Sequence, residues 1–508
     1  MIQLHGQNVL VLGLGVSGLA MARWCAHHGA HVTVADTREA PPQLAALREQ
    51  APTARFVSGP LSADLLSSVA PTLVCRSPGL TPSEVYDLTQ AAVAQNAQVL
   101  GELDLFSDGL NALKTERQYS PKVVAVTGTN GKTTVTSLTA QLLERAGLSV
   151  AIAGNIGPSM LDTLLQRMST GNLPEVWTLE LSSFQLDTAT GFEPDAATVL
   201  NVTQDHLDWH GDMTAYAQAK GRIFGQRAIM VLNRDDPVVM GMQPEPATKP
   251  LKGIKSLVRP VLTFGADMPS MPGDFGLEVV NGMTWLVRAL EVDETQRRRK
   301  GAAEVELHWQ RLMPADALRI RGRHNVVNAL AALALASSVG AALGPMLYGL
   351  REYRGEPHRV ESIGVLADVE YFDDSKGTNV GATVAALQGL GVERKLVVIL
   401  GGDGKGQDFS PLVVPISRYG RAAVVIGRDA EAIRSVLSST GVPLLNAQSL
   451  EGATTIAREQ AHAGDAVLLS PACASLDMFR DYVHRAQVFR DAVSALAQAE
   501  GLTLEAHA

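Results

Sequence analysis

The strongest chemical signal in the chain is Gly128-Thr129-Asn130-Gly131-Lys132-Thr133-Thr134, which follows the β-branched run Val123-Val124-Ala125-Val126. A buried strand, a glycine turn and a helix start, in that order, make a cradle for phosphate. Free backbone N–H groups and the positive end of the helix dipole then aim at one anion. In such a cradle Lys132 reaches the outer phosphates and the Thr133 hydroxyl ligates Mg²⁺. The loop is a shortened variant: Val126 stands where the general pattern has a glycine, so its first glycine is Gly128.

Other polar groups gather at strand ends, where open α/β sheets place their sites. Gly13-x-Gly15-x-x-Gly18 followed by Asp36 fits a dinucleotide fingerprint. It predicts a phosphate at a helix start and an acid near a ribose or another polar group, without naming the base. Glu180 ends the run Val176-Trp-Thr-Leu-Glu180 and can complete a Mg²⁺ shell begun by Thr133. Asp205, His206, Asp208 and His210 cluster after Asn201, with His206 a candidate metal ligand. Lys220 follows in a helical pattern and reads, by spacing alone, as an ordinary exposed lysine. Arg359 suits bidentate phosphate contact. Lys376 and Lys405, in the turns 373–379 and 401–405, point to an anionic substrate. The stretch Ser470-Pro-Ala-Cys-Ala-Ser475-Leu476 reads as a helix start suited to a carboxylate. Cys473 has no histidine beside it and is not read as a nucleophile.

The elements that must hold these groups alternate strand and helix three times over. Asn8 to Leu12, His31 to Asp36 and Thr72 to Cys75 are strands of a first segment ending near Asn111. Val123 to Val126, Val176 to Glu180, Ala197 to Asn201 and Ile229 to Asn233 belong to a second. Lys395 to Leu400, Ala422 to Ile426 and Ala466 to Ser470 belong to a third, from about Glu356. Such alternation builds parallel sheets. The alanine-rich stretch 326–350 reads as one packed interior helix, not a bilayer span. Between Gly241 and Pro314 the pattern loosens, and Arg297-Arg-Arg-Lys300 reads as an exposed turn.

Length and composition fit this outline. The 508 residues are enough for three domains. A net charge of −9 excludes a general basic surface for nucleic acid or anionic membrane. Three cysteines without metal-type spacing argue for a reducing compartment. Met1-Ile-Gln-Leu-His-Gly lacks a basic n-region, so no signal peptide and a cytoplasmic location are expected.

Taken together, these motifs resemble the Mur ligases. The resemblance rests on residues 128–134, Glu180-Leu-Ser-Ser-Phe-Gln185, Asn201-Val-Thr-Gln-Asp-His206 and His324-Asn325-x-x-Asn328, in that order. Residues 13–18, Asp36-Thr37-Arg38, Ser77-Pro-Gly79, Asp374-Ser-Lys376, 401–405 and 470–476 narrow it to the branch that adds D-glutamate. The likeness covers nearly the whole chain and is weakest over 241–314, which is longer than is typical.

The resemblance implies an α/β protein of three domains: a Rossmann-like UDP-substrate domain (1–111), a central P-loop-type ATPase domain (112–355) and a Rossmann-like amino-acid domain (356–508). It implies a monomeric, ATP-dependent ligase. D-glutamate would be joined to UDP-N-acetylmuramoyl-L-alanine through an acyl phosphate, with two Mg²⁺ ions and no nucleic-acid or membrane partner. Val16 and Ser17 would face the diphosphate, with Asp36, Thr37, Arg38 and Gly79 towards the uracil. Asn155 and His206 would touch the muramoyl-alanine or its metal. Gly128, Thr129, Asn130, Gly131, Lys132, Thr133, Thr134, Asn325, Asn328, Arg359 and Asp374 would hold ATP. Lys376, Thr378, Lys405, Ser475, Leu476 and Tyr482 would hold D-glutamate; the family often has phenylalanine where Tyr482 stands. Lys132, Glu180, His206 and Lys220 would be catalytic, with Thr133, Glu180, His206 and a carbamylated Lys220 as metal ligands. Closure of the third domain, hinged near Gly355, would keep the acyl phosphate from water.

Two rivals come from single motifs. A dehydrogenase would use the first glycine fingerprint and leave the phosphate loop idle. A nucleotide switch would hydrolyse ATP without either amino-acid substrate.

Overall fold

The computed structural model describes residues 2–244, 259–292 and 306–505. They form three sheets in series. The first has five parallel strands, laid side by side as Arg55–Ser58, His31–Asp36, Asn8–Leu12, Leu73–Arg76 and Gln98–Leu100. Strand order reverses between Asn8–Leu12 and Leu73–Arg76, and an open sheet has its ligand crevice at such a reversal. Gly18, in the first turn of helix Val16–His27, lies so close to the preceding turn that a Cβ there would be 1.9 Å from the Gly13 carbonyl oxygen. That approach is why a glycine stands at this position.

The central sheet has nine strands. Its parallel part runs Val150–Gly154, Val176–Glu180, Lys122–Thr127, Ala196–Val199, Ile229–Asn233 and Val261–Phe264. Residues expected to be loosely patterned continue it instead. Phe275–Val280, Met283–Glu291 and Leu307–Pro314 extend the sheet as an antiparallel meander. The run Arg297 to Lys300 lies outside the described residues.

The alanine-rich stretch is two helices, Arg323–Ser338 and Leu343–Glu352, not one. Gly340, at φ +92°, stops the first. Ala329 to Ala336 are all fully buried. Small side chains let this helix press closely against both the central sheet and its neighbour on the sheet, the helix Lys132–Arg145.

The third sheet is ordered Glu361–Leu366, Val369–Asp373, Ala466–Leu469, Leu396–Gly401, Gly420–Ile426 and Leu444–Asn446. All neighbours are parallel except the first pair, a hairpin.

The three units are not joined alike. One continuous apolar core runs from Val11, Trp24 and Phe106 of the first unit into Leu164, Trp177 and Ile223 of the second. The third has cores of its own, around Phe372 and Leu400 on one face and Tyr371 and Phe489 on the other. Hydrogen bonds from Arg359 to Thr133 and from Asn379 to Asn130 and Asp205 join it to the central unit. Gly355 in the connection takes φ +90°, a conformation L side chains rarely adopt. Helix Glu102–Arg117 spans residue 111 and leads into the central sheet. Among the described residues no helix is long and apolar enough to cross a membrane.

Candidate functional site

The phosphate loop forms as its residue types demand. Strand Lys122–Thr127 ends, Gly128 (φ +155°) and Gly131 (φ +82°) turn the chain, and helix Lys132–Arg145 begins. Asn201 fastens the loop from the next strand end: its Oδ1 accepts from Asn130 N at 2.8 Å and its Nδ2 donates to Asn130 O at 3.1 Å. A Cβ on Gly131 would lie 2.9 Å from Asn328 Oδ1, so the Arg323–Ser338 helix closes directly on the loop. Asn328 in turn donates to Asn325 Oδ1 at 3.1 Å.

Two lysines converge on one oxygen. Lys132 Nζ donates to Gly128 O at 2.9 Å and Thr129 O at 2.8 Å. Lys220 Nζ donates to the same Gly128 O at 2.9 Å and sits 4.4 Å from the Tyr216 ring centre. The sequence reading of Lys220 as exposed is wrong: it is 1 % exposed. The helix Met213–Gly221 turns that face inwards, against the loop. Burial, and then the charge of Lys132, push its amine well below the ordinary lysine range. Lys132 is lowered too, again mainly by burial.

Glu180 lies at the end of its strand, 2 % exposed. Its Oε1 accepts from Asn155 Nδ2 at 2.7 Å, while Oε2 is buried with no protein partner. A buried carboxylate oxygen left unpaired is costly unless a cation meets it. Lys132 and Lys376 both feel its charge. This unmatched oxygen, the two lysines and the glycine cradle fit a phosphate–Mg²⁺ group.

His206 takes φ +55° at the start of the short helix Leu207–His210. Its ring packs edge-on against Phe184 at 4.8 Å, and its Nε2 lies 3.6 Å from Asp205. Desolvation, more than the neighbouring lysine charges, lowers it below the usual histidine value. Asp208 and His210 are on the same turn, but His210 faces Ser183, 2.9 Å from its hydroxyl.

The third unit reaches into this group. Arg359 Nη2 donates to Thr133 Oγ1 at 2.5 Å. Asp374 accepts from Ser470 Oγ at 2.7 Å and Val360 N at 3.2 Å, and burial pushes its carboxyl up to about 7. Lys376 Nζ stands 3.7 Å from the Tyr482 ring centre, its amine lowered by burial to about 8. Asp403 pairs with Ala474 as a bridge, which brings the Lys405 turn beside buried Ser475 and exposed Leu476. Thr378 follows Lys376, its N–H donating to the Lys376 carbonyl at 2.9 Å.

Stretch 470–476 is not a helix start; it is a turn, and the helix begins at Tyr482. Buried Arg485 of that helix braces it, donating to Cys473 O at 3.1 Å and Ser375 O at 2.7 Å. His358, Glu361 and Asp373 lie close enough together to suggest a metal, but Arg490 already pairs with both carboxylates.

The residues of the first unit form a separate group. Asp36 is not free for a ribose: Oδ2 accepts from Leu14 N at 2.7 Å, and Oδ1 from Arg38 N and Nε at 2.9 and 2.8 Å. The Arg38 contact holds its carboxyl down at about 2. It pins the glycine turn, leaving Thr37 and Arg38 exposed. Val16, 61 % exposed, Ser17 and Gly79 open onto the same crevice mouth, since Ser77 Oγ donates to Gly13 O at 2.9 Å. Arg76, which the sequence did not single out, links this mouth to the central unit: it lies 5.4 Å from the Trp209 ring centre and 3.7 Å from Asp187. Tyr216 and Arg485 were likewise missed, and Asn201, quoted as the start of a polar motif at a strand end, was given no role of its own.

Three family descriptions match the chain in order: "Mur ligase MurD-like, N-terminal domain" over residues 7–101, "Mur ligase middle domain" over 126–336 and "Mur ligase, glutamate ligase domain" over 358–473. A UDP-N-acetylmuramoylalanine–D-glutamate ligase of Albidiferax ferrireducens is 64% identical, with 99% of each chain covered. One of Burkholderia multivorans bearing the same name is 56% identical, covering 97% of this chain and 98% of its own. Among solved structures, a MurF ligase of Thermotoga maritima in complex with ADP aligns with a TM-score of 0.56 at 16% identity, covering 98% of this chain and 96% of that one. The UDP-N-acetylmuramate–alanine ligase MurC of the same organism gives 0.53 at 21%, covering 96% and 100%. These two are alike in fold.

Proposed function

The chain belongs to the Mur ligase family, and from that premise we propose that it joins D-glutamate to UDP-N-acetylmuramoyl-L-alanine, forming ADP and phosphate. This is a cytoplasmic step of peptidoglycan precursor synthesis, carried out by a monomer. The observation that carries the reading is the meeting of Lys132, Lys220 and the unpartnered Glu180 oxygen at the glycine loop, with Lys376 facing them from the third unit. The 64% identity to a ligase of that name supports the choice of both substrates.

An amide cannot form from a carboxylate without a better leaving group. The alanine carboxylate is therefore converted to an acyl phosphate, and the D-glutamate amine displaces phosphate through a tetrahedral intermediate. Bound Mg²⁺–ATP supplies the phosphoryl group and neutralises its charge. The loop N–H groups of 128–134 and Lys132 orient and stabilise that phosphoryl group. Asn325, Asn328, Arg359 and Asp374 hold the rest of the nucleotide. Thr133, Glu180 and His206 are metal ligands, and the residues fit two ions if Lys220 carries a carbamate. Its low-affinity amine suits that change: the uncharged nitrogen bonds to CO₂ carbon and releases one proton to water. Asn155 and His206 orient the muramoyl-alanine. Val16 and Ser17 hold the diphosphate, with Thr37, Arg38 and Gly79 towards the uracil and Asp36 behind them, fixing the turn through Leu14 N and Arg38. Lys376, Thr378, Lys405, Ser475, Leu476 and Tyr482 receive D-glutamate.

On this reading residues 1–111 bind the UDP-substrate, 112–355 the nucleotide and 356–508 the amino acid, with Gly355 as hinge. The separate cores of the third unit support that motion. The test is ADP release from the purified chain with UDP-N-acetylmuramoyl-L-alanine and, in turn, D-glutamate, L-glutamate, L-alanine and meso-diaminopimelate. Release with D-glutamate alone is the expected result. Equal release without an amino acid would sink the ligase reading.

A further inference from the structure

We propose that Asn379 is a positioning residue which makes the nucleotide loop and the His206 turn register closure of the third unit. The proposal rests on the ligase reading above. Asn379 precedes the helix Val380–Gly391 and is 6 % exposed. Its Oδ1 accepts from Ala382 N at 2.8 Å, capping the helix. Its Nδ2 donates across the domain boundary to Asn130 Oδ1 at 3.1 Å and Asp205 Oδ2 at 3.2 Å. The orientation of the amide follows from its neighbours: a backbone N–H can only donate, and a carboxylate can only accept.

The two acceptors belong to the two loops that the chemistry requires. Asn130 is in the glycine loop, and Asp205 precedes His206, 3.6 Å from its Nε2. The whole helix is shaped to the central unit. A Cβ on Gly381 would lie 2.6 Å from Thr203 Oγ1, and one on Gly389 2.4 Å from His324 Nδ1. Glycines at both ends let the helix lie flat there, and Asn379 supplies the directional bonds. Both of its amide protons are satisfied only when the third unit is seated. Seating thus fixes the loop and the histidine turn together.

The cap and the latch can be separated. Asn379→Asp keeps an oxygen for Ala382 N but loses both cross-domain donations and sets a carboxylate against Asp205. With the full chain, kcat should fall roughly ten- to a hundredfold, the scale of losing a hydrogen bond to a charged group. Calorimetric affinity for UDP-N-acetylmuramoyl-L-alanine should stay within about twofold and the melting temperature within a few degrees. Adding Asp205→Asn to Asn379→Asp restores a donor–acceptor pair with the roles exchanged, and should recover a large part of kcat. The inference is overturned if the single variant turns over like wild type, if substrate affinity and melting temperature fall with kcat, or if the double variant is no better than the single one. Failure of the wild-type chain to make the amide would instead defeat the ligase reading itself.

Discussion

Lys220 allows the most demanding test. Replacing it with methionine keeps an unbranched chain in the same space and removes the amine. The lost bond to Gly128 O costs about 1 kcal/mol. Against that stands the cost of burying an amine beside Lys132. The amine is lowered well below its ordinary value, whereas in the unfolded chain it titrates near pH 10.4. Between those two values the unfolded state binds the extra proton, so wild-type stability rises with pH, by at most about 1.4 kcal/mol per unit. Lys220→Met lacks that dependence. Its stability relative to wild type should therefore be greatest at the low end of the window and shrink as the pH climbs towards about 10.4. From pH 7.5 to 9.5 the change is at most about 2.8 kcal/mol, readable by urea denaturation of both proteins in CO₂-free buffer. Turnover, by contrast, should fall steeply at every pH if Lys220, once carbamylated, helps to hold a metal ion as proposed. Bicarbonate should stabilise only the wild type. A pH-independent difference would mean that Lys220 is charged and satisfied in the fold. Near-normal turnover would remove it from the chemistry.

Other perturbations separate the two halves of the site. Lys132→Ala should abolish ADP formation yet leave calorimetric binding of the UDP-substrate measurable; loss of binding together with folding would contradict its assigned role. Asp374, raised to about 7 by burial, is ionised only above that pH. ATP affinity should therefore weaken as pH falls through about 7 in the wild type, while Asp374→Asn should bind weakly with no such limb. A limb that persists in the variant belongs to another group. Tyr482→Phe keeps the ring over Lys376 and should turn over within about twofold of wild type. Tyr482→Ala should raise the KM for D-glutamate roughly three- to thirtyfold, the range of a cation–π contact. An unchanged KM would take the ring out of the pocket.

What could be read in advance was local. The strand Lys122–Thr127, its glycine turn and the helix from Lys132 are determined by neighbours in sequence, and they form where the residue types put them. The antiparallel meander also had a local mark. Asn281-Gly282, both at positive φ between Val280 and Met283, is a two-residue hairpin turn, but proline and glycine clusters nearby obscured it. The break after Ser338 was likewise signalled by Gly340, which alone ends a helix that alanine content would continue.

What could not be read depends on distant partners. Nothing near Lys220 marks it as buried, since the carbonyl that receives it lies 92 positions away. Asn379 looks like any helix cap until its amide meets Asp205 and Asn130, 174 and 249 positions away. Asp36 shows the reverse: its position in a fingerprint suggested a ligand contact, whereas Leu14 N and Arg38 occupy both of its oxygens. Spacing therefore locates the groups that can carry chemistry, while burial and the partner across a domain boundary decide their protonation and freedom. If that is right, the role of Asn379 depends on having both a cap acceptor and two donated protons. Asn379→Ser, which keeps an N-cap oxygen but cannot span to Asp205, should then behave like Asn379→Asp in kcat while lacking its repulsion, and adding Asp205→Asn should not rescue it. Rescue in that background would show that Asp205 acts on His206 directly, with Asn379 a cap and no more.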